Sequence, residues 1–179
     1  MENPMRQIEI EKMVINCGGI DEKLEKSVKL LEMITKRTVC KIKSTKRIPT
    51  FGISPGKLSG AKVTIRDKEE IIGLLRRFFA AIDNKLRKNN VVKNHASFGI
   101  KEYIEVPGLE YNRDIGILGF EVTVVFKRKG KRVVNKKIKQ GKYPERQAVT
   151  RQEIVDFLNK HFKVGVDEKW RKFIKFSAS

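Results

Sequence analysis

The first 36 residues show the pattern of a strand followed by a helix. Residues 6–17 alternate between apolar and polar side chains and become continuously apolar at residues 13–15, as in an increasingly buried strand. Two glycines end this strand, and Asp21 can cap a helix that continues to about Lys36. The apolar stripe of this helix consists of Leu24, Val28, Leu31 and Ile34.

Two further strands flank a loop that is rich in glycine and proline. Residues 39–44 and 61–66 both alternate between inward and outward side chains. The predicted inward positions are Cys40, Ile42, Ala61, Val63 and Ile65. The predicted outward positions are Lys41, Lys43, Lys62, Thr64 and Arg66. Residues 48–59, between the strands, contain two prolines and two glycines and are predicted to form a loop.

A second helix is predicted to be the main helix of the core. It begins at Asp67, with Glu70 three positions later in a spacing close to that of a capping box, and it runs to about Arg87. Its wide apolar face consists of Ile71, Leu74, Leu75, Phe78, Phe79, Ile82 and Leu86.

Two more strands and a last helix complete the predicted elements. The strands lie at residues 97–106 and 119–127, and the helix follows a capping box formed by Thr150 and Glu153. The apolar face of this helix consists of Ile154, Phe157, Leu158 and Phe162. The order of elements predicts a two-layer α+β fold, in which a mostly antiparallel sheet carries helices on one face and leaves the other face open.

The distribution of charge changes the interpretation of that open face. The 179 residues include 40 Lys and Arg against 21 Asp and Glu, for a net charge of +19. Residues 33–66 contain nine basic side chains and no acidic one, and residues 127–149 contain ten basic and one acidic. Because an ordinary surface mixes both signs, these two segments predict contacts with nucleic-acid phosphates.

The two neighbouring basic strands are predicted to place cations together on the open face. These cations are Lys41, Lys43, Lys62 and Arg66. An RNA backbone fits such a surface, since Ser44 and Thr64 can also bond phosphates or ribose hydroxyls. A merely solvated sheet face is the alternative interpretation.

Other kinds of chemistry find no support in the sequence. No apolar run of about 18 residues and no secretory signal are present, which predicts a soluble protein that stays inside the cell. Cys17 and Cys40 form no CxxC pair and are predicted to be buried, reduced thiols. His95 and His161 lack ligand spacing, so neither a metal nor another cofactor is expected. The segment GISPGKLS has the wrong spacing for a phosphate-binding loop, and no nucleophile and base fall together.

Several blocks of sequence resemble one known family. They are MRQIEIEKMVINCGG (5–19), TKRIPTFGISPGKLSGAKVTIR (45–66), LRKNN (86–90), NHASFGIKEYIE (94–105) and DIGILGFEVTVVFKRKG (114–130). In this order they are similar to the universal large-subunit ribosomal protein five family, called large-subunit protein eleven in eukaryotes. The similarity covers about residues 5–162, and the start of the chain resembles the archaeal and eukaryotic type. The resemblance implies a non-catalytic ribosomal protein with helices on one face of its sheet and RNA on the other.

The resemblance also implies that the chain binds 5S ribosomal RNA in the central protuberance of the large subunit. Together with the basic strands, it predicts 5S contacts at Asn16, Lys41, Lys43, Ser44, Lys46, Arg47, Lys62, Thr64 and Arg66. A further segment either reaches RNA or forms a structural turn, and it consists of Lys88, Asn89 and Asn90.

In this family the loop between the second and third strands approaches transfer RNA in the peptidyl site of the ribosome. The loop corresponds to residues 48–59 here, and its candidate contacts are Thr50, Phe51, Gly52, Ile53 and Lys57. Phe51 lies outside any helical or strand period, so it either folds back to the core or meets a partner. We expect RNA and the sheet to hold the loop in place, because glycine and proline alone do not aim it.

The ends of the similarity define the predicted domain. One domain is expected at 1–162, with a basic extension at 127–149 and a basic tail at 163–179. The extension is predicted to order on ribosomal RNA or on a neighbouring protein through Lys127, Arg128, Lys129, Lys131, Arg132, Lys136, Lys137 and Lys139. Trp170, Phe173 and Phe176 predict either an amphipathic docked tail or a disordered one.

Further partners and the location are implied by the resemblance alone. The partners are large-subunit ribosomal RNA, a neighbouring large-subunit protein that co-binds 5S RNA, and a small-subunit head protein across an intersubunit bridge. The implied location is the cytoplasmic ribosome, with a nucleolar stage in a eukaryote. The competing classes are an RNA-processing or modifying enzyme with a basic sheet and a protein of anionic membrane surfaces.

Overall fold

The computed structural model describes residues 3–142 and 144–167. The strands in these ranges are β1 (Ile8–Gly18), β2 (Cys40–Lys43), β3 (Leu58–Ile65), β4 (Lys85–Arg87), β5 (Val91–Val92), β6 (His95–Ile100), β7 (Phe120–Arg128) and β8 (Gly165–Asp167). The helices are α1 (Glu22–Thr35), α2 (Lys68–Ala81), α3 (Arg132–Asn135) and α4 (Arg151–Phe162). The predicted α+β fold is confirmed.

Six strands form the main sheet in the order β2-β3-β1-β7-β6-β5, and every neighbouring pair is antiparallel. The long strand β1 lies in the middle and pairs with both β3 and β7. A bulge between Ile10 and Lys12 shifts its register against β7. The short strands β4 and β8 pair in parallel as a second, two-stranded sheet.

The core lies between one face of the main sheet and the helices α1, α2 and α4. Ring contacts join the layers, since Phe78 of α2 meets Phe120 at a centroid distance of 5.4 Å and Phe126 meets Phe157 of α4 at 5.6 Å. The inward strand positions are buried, and they include Met13, Ile15, Cys17, Ala61, Val63, Ile65, Val122 and Val124. Alternate positions on these strands are half-buried or exposed, so the predicted open face is present.

The helices begin and end differently from the prediction in two places. Asp21 has φ +52° and does not cap α1 with its side chain; its carboxylate pairs with Lys57 at 3.0 Å instead. Asp67 does cap α2, accepting a hydrogen bond from the amide of Glu69 at 3.2 Å. α2 ends at Ala81 and not near residue 87, because residues 83 and 84 both adopt a left-handed φ of +53°. Residue 86 consequently belongs to β4.

The strand predicted at residues 97–106 is too long at its C-terminal end. β6 begins at His95 and stops at Ile100, after which the chain turns through a short 3-10 helix at Tyr103–Glu105. Tyr103 is fully buried, and its hydroxyl accepts a hydrogen bond from the amide of Asn112 at 2.8 Å. The tyrosine therefore holds the following loop against the domain.

The capping box at the start of α4 is confirmed, with the amide of Thr150 donating to the carboxylate of Glu153 at 2.9 Å. After α4, Val164 is fully buried and β8 extends the chain along β4. The predicted aromatic positions of the tail, Trp170, Phe173 and Phe176, lie outside the described residues. No helix in the described part of the chain is long and apolar enough to cross a membrane.

The two cysteines occupy different environments. Cys17 is buried, as predicted, and its thiol donates to the hydroxyl of Ser27 and to the carbonyl of Gly119, both at 3.2 Å. Burial raises the pKa of Cys17, and the nearby charge of Glu121 raises it further against the opposing bond to Ser27. The prediction was wrong for Cys40, which is exposed because β2 is an edge strand.

Candidate nucleic-acid interface

One row of residues crosses the open face of the main sheet near the C-terminal end of β1. In register, Cys40 pairs with Lys62, Lys62 with Asn16, Asn16 with Glu121, and Glu121 with Gly99. Directly paired residues share a face, and the flanking positions such as Cys17 and Phe120 are buried on the helix side. The row therefore lies on the open face and joins Lys62 to Asn16, as predicted.

The predicted common face is wrong for Lys41. Its partner is Ala61, which is fully buried, so Lys41 lies on the helix side at the edge of the sheet. A bulge between Ile42 and Lys43 then places Lys43 opposite Leu58. Hydropathy could not fix the register of β2, because this strand has four residues and none of them is buried.

The exposed basic residues of β3 have no acidic neighbours. Lys62 and Arg66 form no ion pair with any carboxylate within the described residues. Beside Lys62 lies an open depression of about 480 Å³, lined by Lys36, Arg37, Thr38, Cys40, Lys62, Val63 and Thr64. Arg37 is neutralised there by Glu70 of α2. The remaining cations can meet an anion without first breaking a salt bridge.

The loop between β2 and β3 is closed by its own backbone. The amide of Ser44 donates to the carbonyl of Lys57 at 2.8 Å, and the amide of Gly56 donates to Ser44 at 2.8 Å. Nearer the tip, Ile48 and Ile53 exchange two backbone hydrogen bonds of 2.9 and 3.1 Å. The expectation that RNA is needed to shape this loop was wrong, since internal hydrogen bonds already fix it.

The tip of this loop presents an apolar side chain to solvent. Pro49–Phe51 forms a short 3-10 helix that ends at Gly52, whose φ of +63° favours glycine. Phe51 is 68% exposed, so the alternative in which it folds back to the core was wrong. Lys57 lies at the base of the loop beside Asp21, whereas Thr50, Gly52 and Ile53 lie at the tip.

Lys88, Asn89 and Asn90 are not brought near Lys62. They form a short 3-10 helix between β4 and β5, and β5 is the opposite edge strand from β2. Five strand spacings separate these edges, which is about 24 Å. Any nucleic acid that touches both groups must cross the whole sheet.

The basic extension is partly built into the fold. Arg128 is 8% exposed on the helix side, and its guanidinium donates two hydrogen bonds of 2.7 and 2.8 Å to the carboxylate of Glu153. Lys131 pairs with Glu11, and Lys129 donates to the side chain of Gln7 at 2.9 Å. Lys127 is half-buried, and the exposed cations of the extension are Arg132, Lys136, Lys137 and Lys139.

The bond to Arg128 also affects the ionisation of Glu153. Burial alone would raise the pKa of Glu153, but hydrogen bonds from Thr150 and the charge and hydrogen bond of Arg128 outweigh it. The pKa of Glu153 is therefore lowered, and the pair remains ionised at neutral pH. Arg128 is a structural cation, and the prediction that it contacts an external partner is wrong on this ground.

Three positions on the open face were missed by the sequence analysis. Lys12 precedes Val14 and Asn16 at alternate positions of β1, so its place on this face could have been derived from the strand period. Glu121 and Gly99 carried no comparable pattern, because only the strand order brings them beside Asn16. Within the described residues, no group of three His, Cys, Asp or Glu could hold a metal ion.

Comparison with known proteins gives consistent matches. The family model for the C-terminus of the uL5 family of ribosomal proteins matches residues 58–157. The chain is 34% identical to "Large ribosomal subunit protein uL5" of Nanoarchaeum equitans, over 93% of this chain and 99% of that protein. It is 36% identical to the protein of the same name from Pyrobaculum aerophilum, over 92% of this chain and 93% of that protein.

Proposed function

The chain belongs to the uL5 family of large-subunit ribosomal proteins, and from this premise we propose that it binds 5S ribosomal RNA through the open face and the β2–β3 hairpin. Its established role is that of a structural protein of the large ribosomal subunit and not that of an enzyme. The finer assignment concerns which RNA it binds and which residues make the contact.

The observation that carries this proposal is the unpaired charge of the hairpin beside Asn16. Residues 33–66 contain no carboxylate, and Lys62 lies in register with the amide side chain of Asn16 on a face that no helix covers. Cations without acidic partners attract phosphates and release counterions when they bind them. The amide of Asn16 and the hydroxyl of Thr64 can accept or donate hydrogen bonds to ribose and base groups.

The loop tip supports contact with transfer RNA in the peptidyl site. Its internal hydrogen bonds hold Phe51 away from the domain, so little ordering entropy is lost when the tip meets a partner. An exposed aromatic ring can stack on a base or ribose. Phe51, Thr50, Gly52 and Ile53 are the residues that we assign to this contact.

A protein partner is the better match for residues 101–118. This segment contains four acidic and two basic side chains on a chain of charge +19, so it is unsuited to phosphates. It exposes apolar side chains, and these are Ile104, Tyr111 and Ile117. We assign this surface to the small-subunit head protein across an intersubunit bridge, and the exposed cations and Ile138 of the extension to large-subunit RNA or the protein that co-binds 5S RNA.

The test compares two double variants with the same change in charge. Lys62→Ala with Arg66→Ala removes open-face cations, whereas Lys26→Ala with Lys29→Ala removes two exposed lysines of α1 on the other side of the molecule. Binding of 5S RNA is measured over a series of salt concentrations. The first variant should weaken binding and reduce the salt slope by about one to two units, since each lost phosphate contact contributes about 0.7–0.9.

The α1 variant should bind like the wild type, because its lysines do not face the RNA. Equal effects of the two variants would show that only net charge matters and would contradict the assignment of the open face. Circular dichroism of both variants verifies that the fold is intact.

A further inference from the structure

An open notch lies on the same face, one strand beyond Asn16. Its volume is about 460 Å³, and it lies where the C-terminal ends of β1 and β6 meet the start of β7. Its lining consists of Asn16, Cys17, Gly18, Gly99, Ile100, Lys101, Gly119, Phe120 and Glu121. The open-face part of this lining has two polar side chains, Asn16 and Glu121, in direct register.

Two glycines of the notch have no steric role in the fold. A Cβ added at Gly18 or at Gly99 would meet no atom within 4 Å, and neither residue has a positive φ. Gly119 differs, because a Cβ there would collide with the carbonyls of residues 100 and 101. Glycine weakens a strand, and an unforced glycine often marks a place where a ligand approaches the backbone closely. Gly99 is the clearer case, since it lies inside β6 and beside Glu121.

Glu121 is out of place on a surface for phosphates. It is exposed, and it forms no ion pair or hydrogen bond through its side chain within residues 3–142 and 144–167. Lys62 and Lys101 lie on either side of it along the row and the rim. An ionised carboxylate repels phosphate, but it accepts hydrogen bonds from the amino and imino groups of nucleobases.

We propose that this notch binds one unpaired nucleobase of the RNA that lies on the open face. Glu121 accepts hydrogen bonds from the base's N–H donors, the amide of Asn16 bonds the same edge or the ribose, and the bare backbone at Gly99 allows the ring to lie against the strand. Lys101 at the rim meets the adjacent phosphate. The inference rests on the proposed RNA-binding function, and it adds a base-specific contact to an interface otherwise dominated by phosphates.

The charge of Glu121 gives the first test, because the two alternatives predict opposite signs. If the carboxylate accepts from a base, Glu121→Gln weakens 5S RNA binding about tenfold without changing the salt slope. If only phosphates are nearby, the loss of a negative charge tightens binding. Glu25→Gln on the exposed side of α1 is the matched control, and it should leave binding unchanged or slightly tighter.

The empty position at Gly99 gives the second test. Gly99→Val fills the notch, and it should reduce 5S RNA affinity at least tenfold while the melting temperature holds or rises, since valine favours strands. Gly99→Ala is the smaller version in case valine disturbs the fold. Gly73→Ala in α2 is the control, because a Cβ there also meets no atom within 4 Å and lies in a helix off the open face.

Chemical probing of the bound 5S RNA adds a readout at the level of the base. One unpaired base should be protected by the wild type and exposed again in the Glu121→Gln complex. If either Glu121→Gln or both Gly99 variants bind as tightly as the wild type, while the Lys62 and Arg66 variant is weakened, the notch inference is overturned and the proposed function stands. If the wild-type protein does not bind 5S RNA, the proposed function itself is overturned.

Discussion

At the scale of single residues, Arg128 shows how tertiary contacts can change the meaning of a charge. In the sequence it is one of ten basic residues in a run that predicts contacts with an external partner. In the structure it is buried under α4 and bound to Glu153 by two hydrogen bonds. Its effect should therefore be on stability and not on affinity for RNA.

Arg128→Met is expected to lower the free energy of unfolding by about 1–3 kcal/mol, because it leaves the carboxylate of Glu153 without its charged donor. The measurement is urea unfolding of the RNA-free protein. The salt slope of 5S RNA binding should stay at the wild-type value. A reduced slope with unchanged stability would show that Arg128 contacts phosphate after all.

The lowered pKa of Glu153 predicts a stability that depends on pH. A carboxyl whose pKa is lower in the folded state contributes stability above its ordinary pKa of 4.5, and this contribution is lost as pH falls through the folded value. Unfolding is measured between pH 7 and about pH 3 for the wild type and for Glu153→Gln. The difference in stability between them should shrink on acidification, and a constant difference would contradict the assigned ion pair.

At the scale of secondary-structure elements, the β2–β3 hairpin combines an irregular sequence with a defined shape. Its loop contains two prolines and two glycines, yet backbone hydrogen bonds close it at its base and again at Ile48 and Ile53. Gly52 supplies the left-handed conformation that the tip requires. The loop is therefore a fixed projection of the sheet, which suits a role in reaching a distant partner.

Hydrogen exchange tests whether the loop is formed without RNA. The amides of Ile48 and Ile53 should exchange more slowly than the amide of Ser54, for which the structure gives no hydrogen-bond partner in the described part of the chain. Gly52→Ala should speed exchange of the Ile53 amide about fivefold, because a left-handed alanine costs about 1 kcal/mol. Equal exchange at all three amides in the wild type would contradict a preformed loop.

At the scale of the whole molecule, charge and topology act together. The net charge of +19 is concentrated in two segments, and the sheet order places the hairpin at one edge and Lys88–Asn90 near the other. Like charges repel one another in the free protein, whereas bound phosphates neutralise them. Salt should therefore have opposite effects on the free protein and on its complex.

The RNA-free protein is expected to melt a few degrees higher in about 0.5 M than in about 0.05 M sodium chloride, since salt screens the internal repulsion. Over the same range the affinity for 5S RNA should fall steeply. Calorimetry and binding titrations measure the two effects. A melting temperature that falls with salt would show that attractive ion pairs dominate the free protein's electrostatics.

The sequence by itself determined the fold class, most elements and the basic hairpin. Strand and helix periods are local properties, so β1, β7, α1 and α4 were found from the apolar pattern, and the capping box at Thr150 fixed the start of α4. Charge also needs no coordinates, and the absence of carboxylates from residues 33–66 is visible in the chain itself.

Only the tertiary structure decided which side chains share a face and which cations remain free. The register of a short edge strand depends on its partner and on a bulge, so Lys41 fell on the helix side while Lys62 met Asn16. The end of α2 depended on left-handed residues that its apolar pattern did not reveal. Strand order brought Gly99 and Glu121 beside Asn16 from distant parts of the chain, because backbone pairing acts through space and not along the sequence.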